Sequence, residues 1–257
     1  MAADVEDNIK QGTKKGDVVI SIDHVTKTFG KRNVLDGFTI DLQRGESLVV
    51  LGRSGSGKSV LIKCVIGLYK TDGGTIKVLG QDIENLDHDG LDAIRANVGF
   101  LFQSNALYDS MTVRENLEFP MRRHLKTVSV AEAEKRIVDT LAHVGLAHTI
   151  DMMPSELSGG MQKRIALART LVLNPEVILY DEPTTGLDPV TAREISTLMN
   201  DTQRLYNTSS IIISYDMKCV EKTADRIAIL MDGKCYAIGT FDQLRQSKDE
   251  KISQFFE

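Results

Sequence analysis

The sequence has little cysteine, no long hydrophobic run and no surplus of positive charge, and each shortage removes a class of protein. Three cysteines (Cys64, Cys219, Cys235) make an odd number without CxxC spacing. A disulfide scaffold or a structural zinc site is therefore not expected, and the usage fits a reducing compartment. Apolar stretches such as Leu48–Leu51 and Ile211–Ile213 fall far short of the roughly 20 apolar residues that cross a bilayer. Any membrane role is expected to come through a partner. The chain carries 31 Lys and Arg against 36 Asp and Glu, for a net charge of -5. A nucleic-acid surface needs clustered cations, so no nucleic-acid partner is expected. Residues 1–17 are polar and charged, without the apolar core of a secretory signal, and read as a disordered lead-in.

What is present is ordinary for a globular protein: 257 residues, 42% hydrophobic and 26% charged, enough to bury a sizeable core. Val18–Ile22 and Gly37–Leu42 alternate like half-buried strands. Denser apolar runs at Glu46–Gly52, Glu176–Tyr180 and Ser210–Ile213 read as strands buried on both faces. Thr75–Leu79 and Asn97–Gln103 are further strands, and Ile227–Met231 and Cys235–Gly239 flank a turn at Asp232-Gly233. Helical spacing marks Lys58–Gly67, Ala131–His143, Met161–Val172, Thr191–Tyr206 and Met217–Asp225, with a closing helix from Asp242. Alternating strands and helices predict an α/β fold with a mainly parallel sheet.

Three motifs carry the chemistry. Gly52-Arg53-Ser54-Gly55-Ser56-Gly57-Lys58-Ser59 fits G-x-x-x-x-G-K-[ST] between an apolar strand and a helix that continues through Val60. Its glycines let the backbone turn several N–H groups onto phosphate oxygens, and the helix start adds its positive dipole end. Lys58 is expected to reach the β- and γ-phosphates and Ser59 to ligate Mg²⁺. Asp181-Glu182 ends an apolar strand, where open α/β sheets bind ligands. Asp181 is expected to hold Mg²⁺ through water, and Glu182 to orient or deprotonate the attacking water. A second glycine-rich helix start, Ser158-Gly159-Gly160, leaves N–H groups free for another anion. Two cradles with one acidic pair suggest that the second serves a nucleotide held by another copy of the chain.

The phosphate loop, then LSGGMQKR from Leu157, then VILYDEPTTGLDP from Val177, resembles the ATP-binding cassette (ABC) family. The resemblance runs from Val18 to Leu244. It implies a phosphate-loop NTPase core at 18–244, with an antiparallel β subdomain, a helical subdomain at about 104–160, and a C-terminal helix at 245–257. It implies ATP and Mg²⁺ as ligands and head-to-tail pairing of two copies. Ser158, Gly159 and Gly160 of one copy then close on the γ-phosphate held by the Lys58 of the other, with Asp188 crossing the interface. Phe29 matches the aromatic that stacks on adenine, although an aromatic after a strand is as often core. Gln103 matches the glutamine that senses Mg²⁺ and contacts the membrane partner, and joins Lys58 and Glu182 as a catalytic candidate.

One position departs from the family. After Ile211–Ile213 a histidine usually donates to the γ-phosphate, and this chain has Ser214-Tyr215-Asp216. Its histidines (His24, His88, His124, His143, His148) lie elsewhere. Tyr215 still has a donor, but it is longer and stays neutral. ATP binding and pairing are expected to persist while hydrolysis is slowed.

The interval from Lys58 to Ser158 is too short for the long coiled-coil insertion of DNA-tethering ATPases. The stretch from Gly99 to Arg122 resembles Mla- and Mce-type cassettes, which move phospholipids between membranes. That implies transmembrane permease subunits, lipid-binding periplasmic and small regulatory subunits, and a peripheral place on the cytoplasmic face of the inner membrane. Leu107, Tyr108 and Met111 either line a groove for a helix of the membrane subunit or form a local core. Phe255 and Phe256 are expected to dock on the chain's own last subdomain. The alternatives are an amino-acid importer cassette, a soluble iron–sulfur assembly ATPase and a binding-only regulatory cassette.

Overall fold

In a computed structural model, residues 16–125 and 128–256 are described; the expected lead-in lies almost wholly outside them. The alternating strands form one sheet. β1 (Val18–Phe29) turns through Gly30 into β2 (Arg32–Gln43), and β4 (Gly73–Val78) and β5 (Gln81–Asp82) complete the antiparallel order β2-β1-β4-β5. β1 is longer than its alternation suggests. Its register shifts between Ile22 and Val25, where His24 sits at φ 49°. A bulge there breaks the period of two without ending the strand.

The dense apolar runs form the other sheet, β3 (Ser47–Leu51), β6 (Val98–Leu101), β7 (Val177–Asp181), β8 (Ser209–Ile213), β9 (Arg226–Met231) and β10 (Lys234–Gly239), in the order β10-β9-β3-β8-β7-β6. The five strands from β9 to β6 are parallel, and β10 closes the edge as an antiparallel hairpin arm. Every residue of β3, β7 and β8 is buried. Apolar clusters cover this sheet on both sides, which is why β3, β7 and β8 carry the dense apolar runs Leu48–Leu51, Val177–Tyr180 and Ile211–Ile213.

The helices are α1 (Lys58–Val65), α2 (His88–Asn97), α3 (Val113–His124), α4 (Val130–His143), α5 (Gly159–Leu171), α6 (Pro189–Tyr206), α7 (Met217–Thr223), α8 (Phe241–Arg245) and α9 (Glu250–Ser253). Nothing in the residue pattern announced α2. It buries only Ile94 and starts on an Asp87 cap. The tail is not the single helix expected from Asp242, nor one running through 245–257. Thr240 caps α8 and Asp249 opens a separate α9, so two short helices result. Phe256 meets the Phe241 ring edge-on at 5.4 Å, and both terminal phenylalanines pack on the chain's own core. All three cysteines are free, and no helix among the described residues is long and apolar enough to cross a membrane.

A third apolar cluster joins α3, α4 and α5 through Val113, Leu117, Ile137, Leu141 and Ile165. Asn116 sits fully buried beside it. Its amide donates to the carbonyls of Tyr108, Met111 and Thr112, and its oxygen accepts from the Tyr108 N–H. One side chain thus organises the loop before α3. Asn116→Ala strands several of these groups and is expected to lower stability by about 2–3 kcal/mol, measured by denaturant unfolding.

Candidate active site

The strand order β3-β8-β7-β6 sets the site. Parallel strands end on one side, and the register keeps Val50, Ile213 and Asp181 level. The loops leaving these four strands therefore deliver the phosphate loop, Tyr215, Asp181-Glu182 and Gln103 along one edge of the sheet.

The phosphate loop leaves β3 and runs into α1, whose first residue, Lys58, follows Gly57. Gly57 has φ 108°, and a Cβ there would lie 2.9 Å from the Val34 carbonyl. Only glycine makes this turn while passing so close to β2. No side chain caps α1, and its first turn carries no acidic residue. The N–H groups of Lys58, Ser59 and Val60 are the donors such a helix start offers an anion, while the Val60 side chain packs on the core. The Ser56 hydroxyl is buried with no partner, an orphan donor that a phosphate oxygen suits. Arg32 donates to the Gly55 carbonyl at 2.6 Å, tying the β1–β2 turn to the loop. Arg53 donates to Gln254 of the tail at 2.8 Å.

Lys58 is only 3% exposed, and its amine donates to the carbonyls of Gly52 (2.9 Å) and Arg53 (3.1 Å). It also meets the Tyr215 hydroxyl, and its amine lies 3.8 Å from the Tyr215 ring centre. Burial pulls its ammonium down to about 8, against Glu182 and Asp181, which favour the charge. Ser59 donates to Asp181 at 2.9 Å. A hydroxyl and a carboxylate side by side beneath a phosphate cradle are the hard oxygen donors Mg²⁺ prefers, so the pair fits that ion. Glu182 has φ 49°, with its N–H held by the Ile213 carbonyl at 2.9 Å. Its carboxylate accepts from Thr185 at 2.9 Å and Gln103 at 3.5 Å.

Phe29 is not core. It is 44% exposed at the β1–β2 turn, edge-on to Tyr69 at 5.4 Å, with Lys27 5.3 Å from its ring. The remaining candidates stand apart. Ser158 caps α5 by accepting from the Met161 N–H, and the open side of Gly159 faces no neighbour within 4 Å. Gly160 packs so closely on α6 that a Cβ would lie 2.6 Å from Thr191. Asp188 caps α6 by accepting from Val190, Thr191 and the Thr191 hydroxyl, which hold its carboxyl below the usual range. Among the described residues no hydrogen bond or ring contact joins Ser158, Gly159, Gly160 or Asp188 to the Lys58 group.

Beside Gln103 lies a surface cavity of about 290 Å³, lined among others by Phe100, Tyr108, Phe119, Pro120 and Arg169. Of the apolar trio in that loop only Tyr108 lines it; Leu107 packs into two core clusters. Sequence reasoning passed over Thr185, Arg32 and Lys163. The signal for Lys163 was legible: a cation in step with the buried Ala166, Leu167 and Thr170 of α5.

The family model for ABC transporter proteins matches residues 35–185. The methionine import ATP-binding protein MetN of Rhizobium etli is 37% identical over 84% of this chain and 59% of its own. The chain thus spans about three fifths of the length of these methionine-import relatives. The intermembrane phospholipid transport ATP-binding protein MlaF of Haemophilus influenzae is 36% identical over 92% of this chain and 89% of its own. Among solved structures, cbiO1 of Clostridium perfringens superposes with a TM-score of 0.83 at 27% identity, covering 93% of this chain and 95% of that one. The post-hydrolysis dimer of the cassette MJ0796 gives 0.78 at 30% identity, covering 86% and 98%. With the model matching more than half of the sequence, and a relative covered to 89% of its length being 36% identical, the chain belongs to the ABC transporter family, among its ATP-binding domains.

Proposed function

We propose that the chain is the ATP-hydrolysing subunit of an ABC transporter and powers lipid movement through separate membrane subunits. One observation carries the ATPase reading: a phosphate cradle, a Ser59–Asp181 pair and a carboxylate at Glu182 meet on one sheet edge. In this reading the loop from Gly52 to Lys58 and the α1 start bind the triphosphate, and Phe29 stacks on adenine. Lys58 leaves its carbonyl partners to meet the β- and γ-phosphates. Ser59 and Asp181 would hold Mg²⁺, which Gln103 is proposed to sense; the ion would supply charge neutralisation on the phosphates. Glu182 accepts a proton from the attacking water, and Thr185 and Gln103 orient its carboxylate. Ser158, Gly159, Gly160 and Asp188 are offered to the nucleotide of a second copy. Their separation from the Lys58 group supports that assignment, and MJ0796 is a dimeric relative.

The lipid reading rests on a finer comparison. The match to the phospholipid-transport relative runs along 92% of this chain, against 84% for the methionine-import relative. A helix of a membrane subunit is proposed to seat in the cavity lined by Tyr108 and Phe119. The test is purification from native membranes, followed by ATP turnover and lipid transfer between vesicles. Co-purifying membrane subunits and turnover stimulated by phospholipid support the proposal. Turnover stimulated by methionine instead removes the lipid assignment, and a chain recovered without membrane subunits removes the transporter reading. Phe29→Ala is expected to weaken ATP binding about tenfold, the usual worth of one base–aromatic stack, as measured by calorimetric titration.

A further inference from the structure

Lys163 lies on the buried face of α5 with 2% of its surface exposed. Its ammonium donates to the main-chain carbonyl of Gln103 at 2.9 Å and lies 3.4 Å from that of Phe102. Further along the same helix, Arg169 donates to the carbonyls of Ala106 at 2.6 Å and Asn105 at 3.2 Å. Two cations of one helix thus hold four carbonyls of one loop.

The loop needs them. It has left the sheet, since β6 ends at Leu101. From Phe102 to Ala106 its own main-chain bonds are Asn105 to Phe102 and Ala106 to Ser104, with Met111 to Tyr108 further on. Asn105 and Ala106 both sit at positive φ (63° and 52°), a region that residues with a Cβ avoid. Carrying a charge at position 163 has a cost as well. Burial lowers the Lys163 ammonium to about 8, and a methionine would fill a similar volume without desolvating a cation. What the lysine supplies and a methionine does not is its grip on the loop.

We infer that Lys163 and Arg169 are positioning residues for Gln103: they fasten its loop to α5, the helix that Ser158 caps, so that the loop and the Ser158-Gly159-Gly160 turn move as one body. Arg169 extends the connection outward. It lines the cavity beside the loop, and its guanidinium lies 5.8 Å from the Tyr108 ring. A helix seated in that cavity touches Arg169 directly.

The inference rests on the proposed ATPase reading, and its test separates the two. Lys163→Met, Arg169→Gln and Gln103→Ala, with the double variants, are made in the chain purified with its membrane subunits. Each single change is expected to lower kcat about tenfold while the ATP dissociation constant stays within about twofold. If Lys163 acts through Gln103, adding Lys163→Met to Gln103→Ala lowers kcat by less than about twofold more. Losses that multiply instead, or a loss of ATP affinity that matches the loss of kcat, overturn the inference and leave the ATPase reading standing. Should Lys163→Met not fold, the same cycle with Arg169→Gln decides by the same criteria. A wild-type complex without turnover overturns both.

Discussion

Glu182→Gln is expected to lower ATP turnover about 10³-fold while ATP binding stays within about twofold. The change keeps the size of the side chain and one oxygen, so Thr185 still has an acceptor. What it removes is basicity, and a positioned general base contributes about 10²–10⁴-fold. The carboxylate stands on a backbone at φ 49°, pinned to β8 by its own N–H. A non-glycine residue held in that region is strained, and such strain persists where the surroundings over-determine the position. The backbone that carries the Glu182 carboxylate is therefore held in place. Single-turnover hydrolysis and nucleotide titration on one preparation check the split. Turnover surviving within about tenfold removes Glu182 as the base and favours a water activated by another group.

Tyr215→His is expected to raise turnover about 10- to 100-fold. Tyr215 lies against Lys58 in two ways, with its hydroxyl on the amine and its ring 3.8 Å from it. The same hydroxyl lies 3.4 Å from the Arg53 carbonyl. The phenol thus stands among the groups that are proposed to receive the γ-phosphate. Burial and the nearby Glu182 carboxylate raise its pKa above the ordinary tyrosine value, so it is a neutral donor at physiological pH. A histidine is shorter, clears Lys58 and can carry charge. Removing one well-aimed donor from a site of developing charge costs about 10²–10³-fold, which bounds what a better donor can restore. Tyr215→Phe separates the two causes. If crowding of Lys58 dominates, losing the hydroxyl alone raises turnover; if the phenol is the working donor, turnover falls. Equal turnover in all three proteins refutes a role for position 215.

How much of this was legible beforehand differs from element to element. β3, β7 and β8 were plain because a strand covered on both faces carries a dense apolar run, here Leu48–Leu51, Val177–Tyr180 and Ile211–Ile213. The phosphate loop was plain because its glycines, lysine and serine are needed at fixed spacing along one continuous turn. β1 was half legible, since the bulge at His24 broke its alternation. α2 was hidden because one buried residue, Ile94, leaves no stripe to read. The tail misled because Thr240 and Asp249 each cap a helix, and apolar spacing does not reveal the break between them.

Family and fold class were therefore legible in the amino-acid order alone, and the residues proposed to contact phosphate were named from the same order, because each depends on neighbours along the chain. The tertiary structure decided which distant residues share a site: that Ser59 reaches Asp181, that Tyr215 lies on Lys58, and that a buried Lys163 holds the Gln103 loop. Those pairings follow from the strand order β3-β8-β7-β6 and the packing of α5 on that edge, and no local pattern encodes which strand lies beside which.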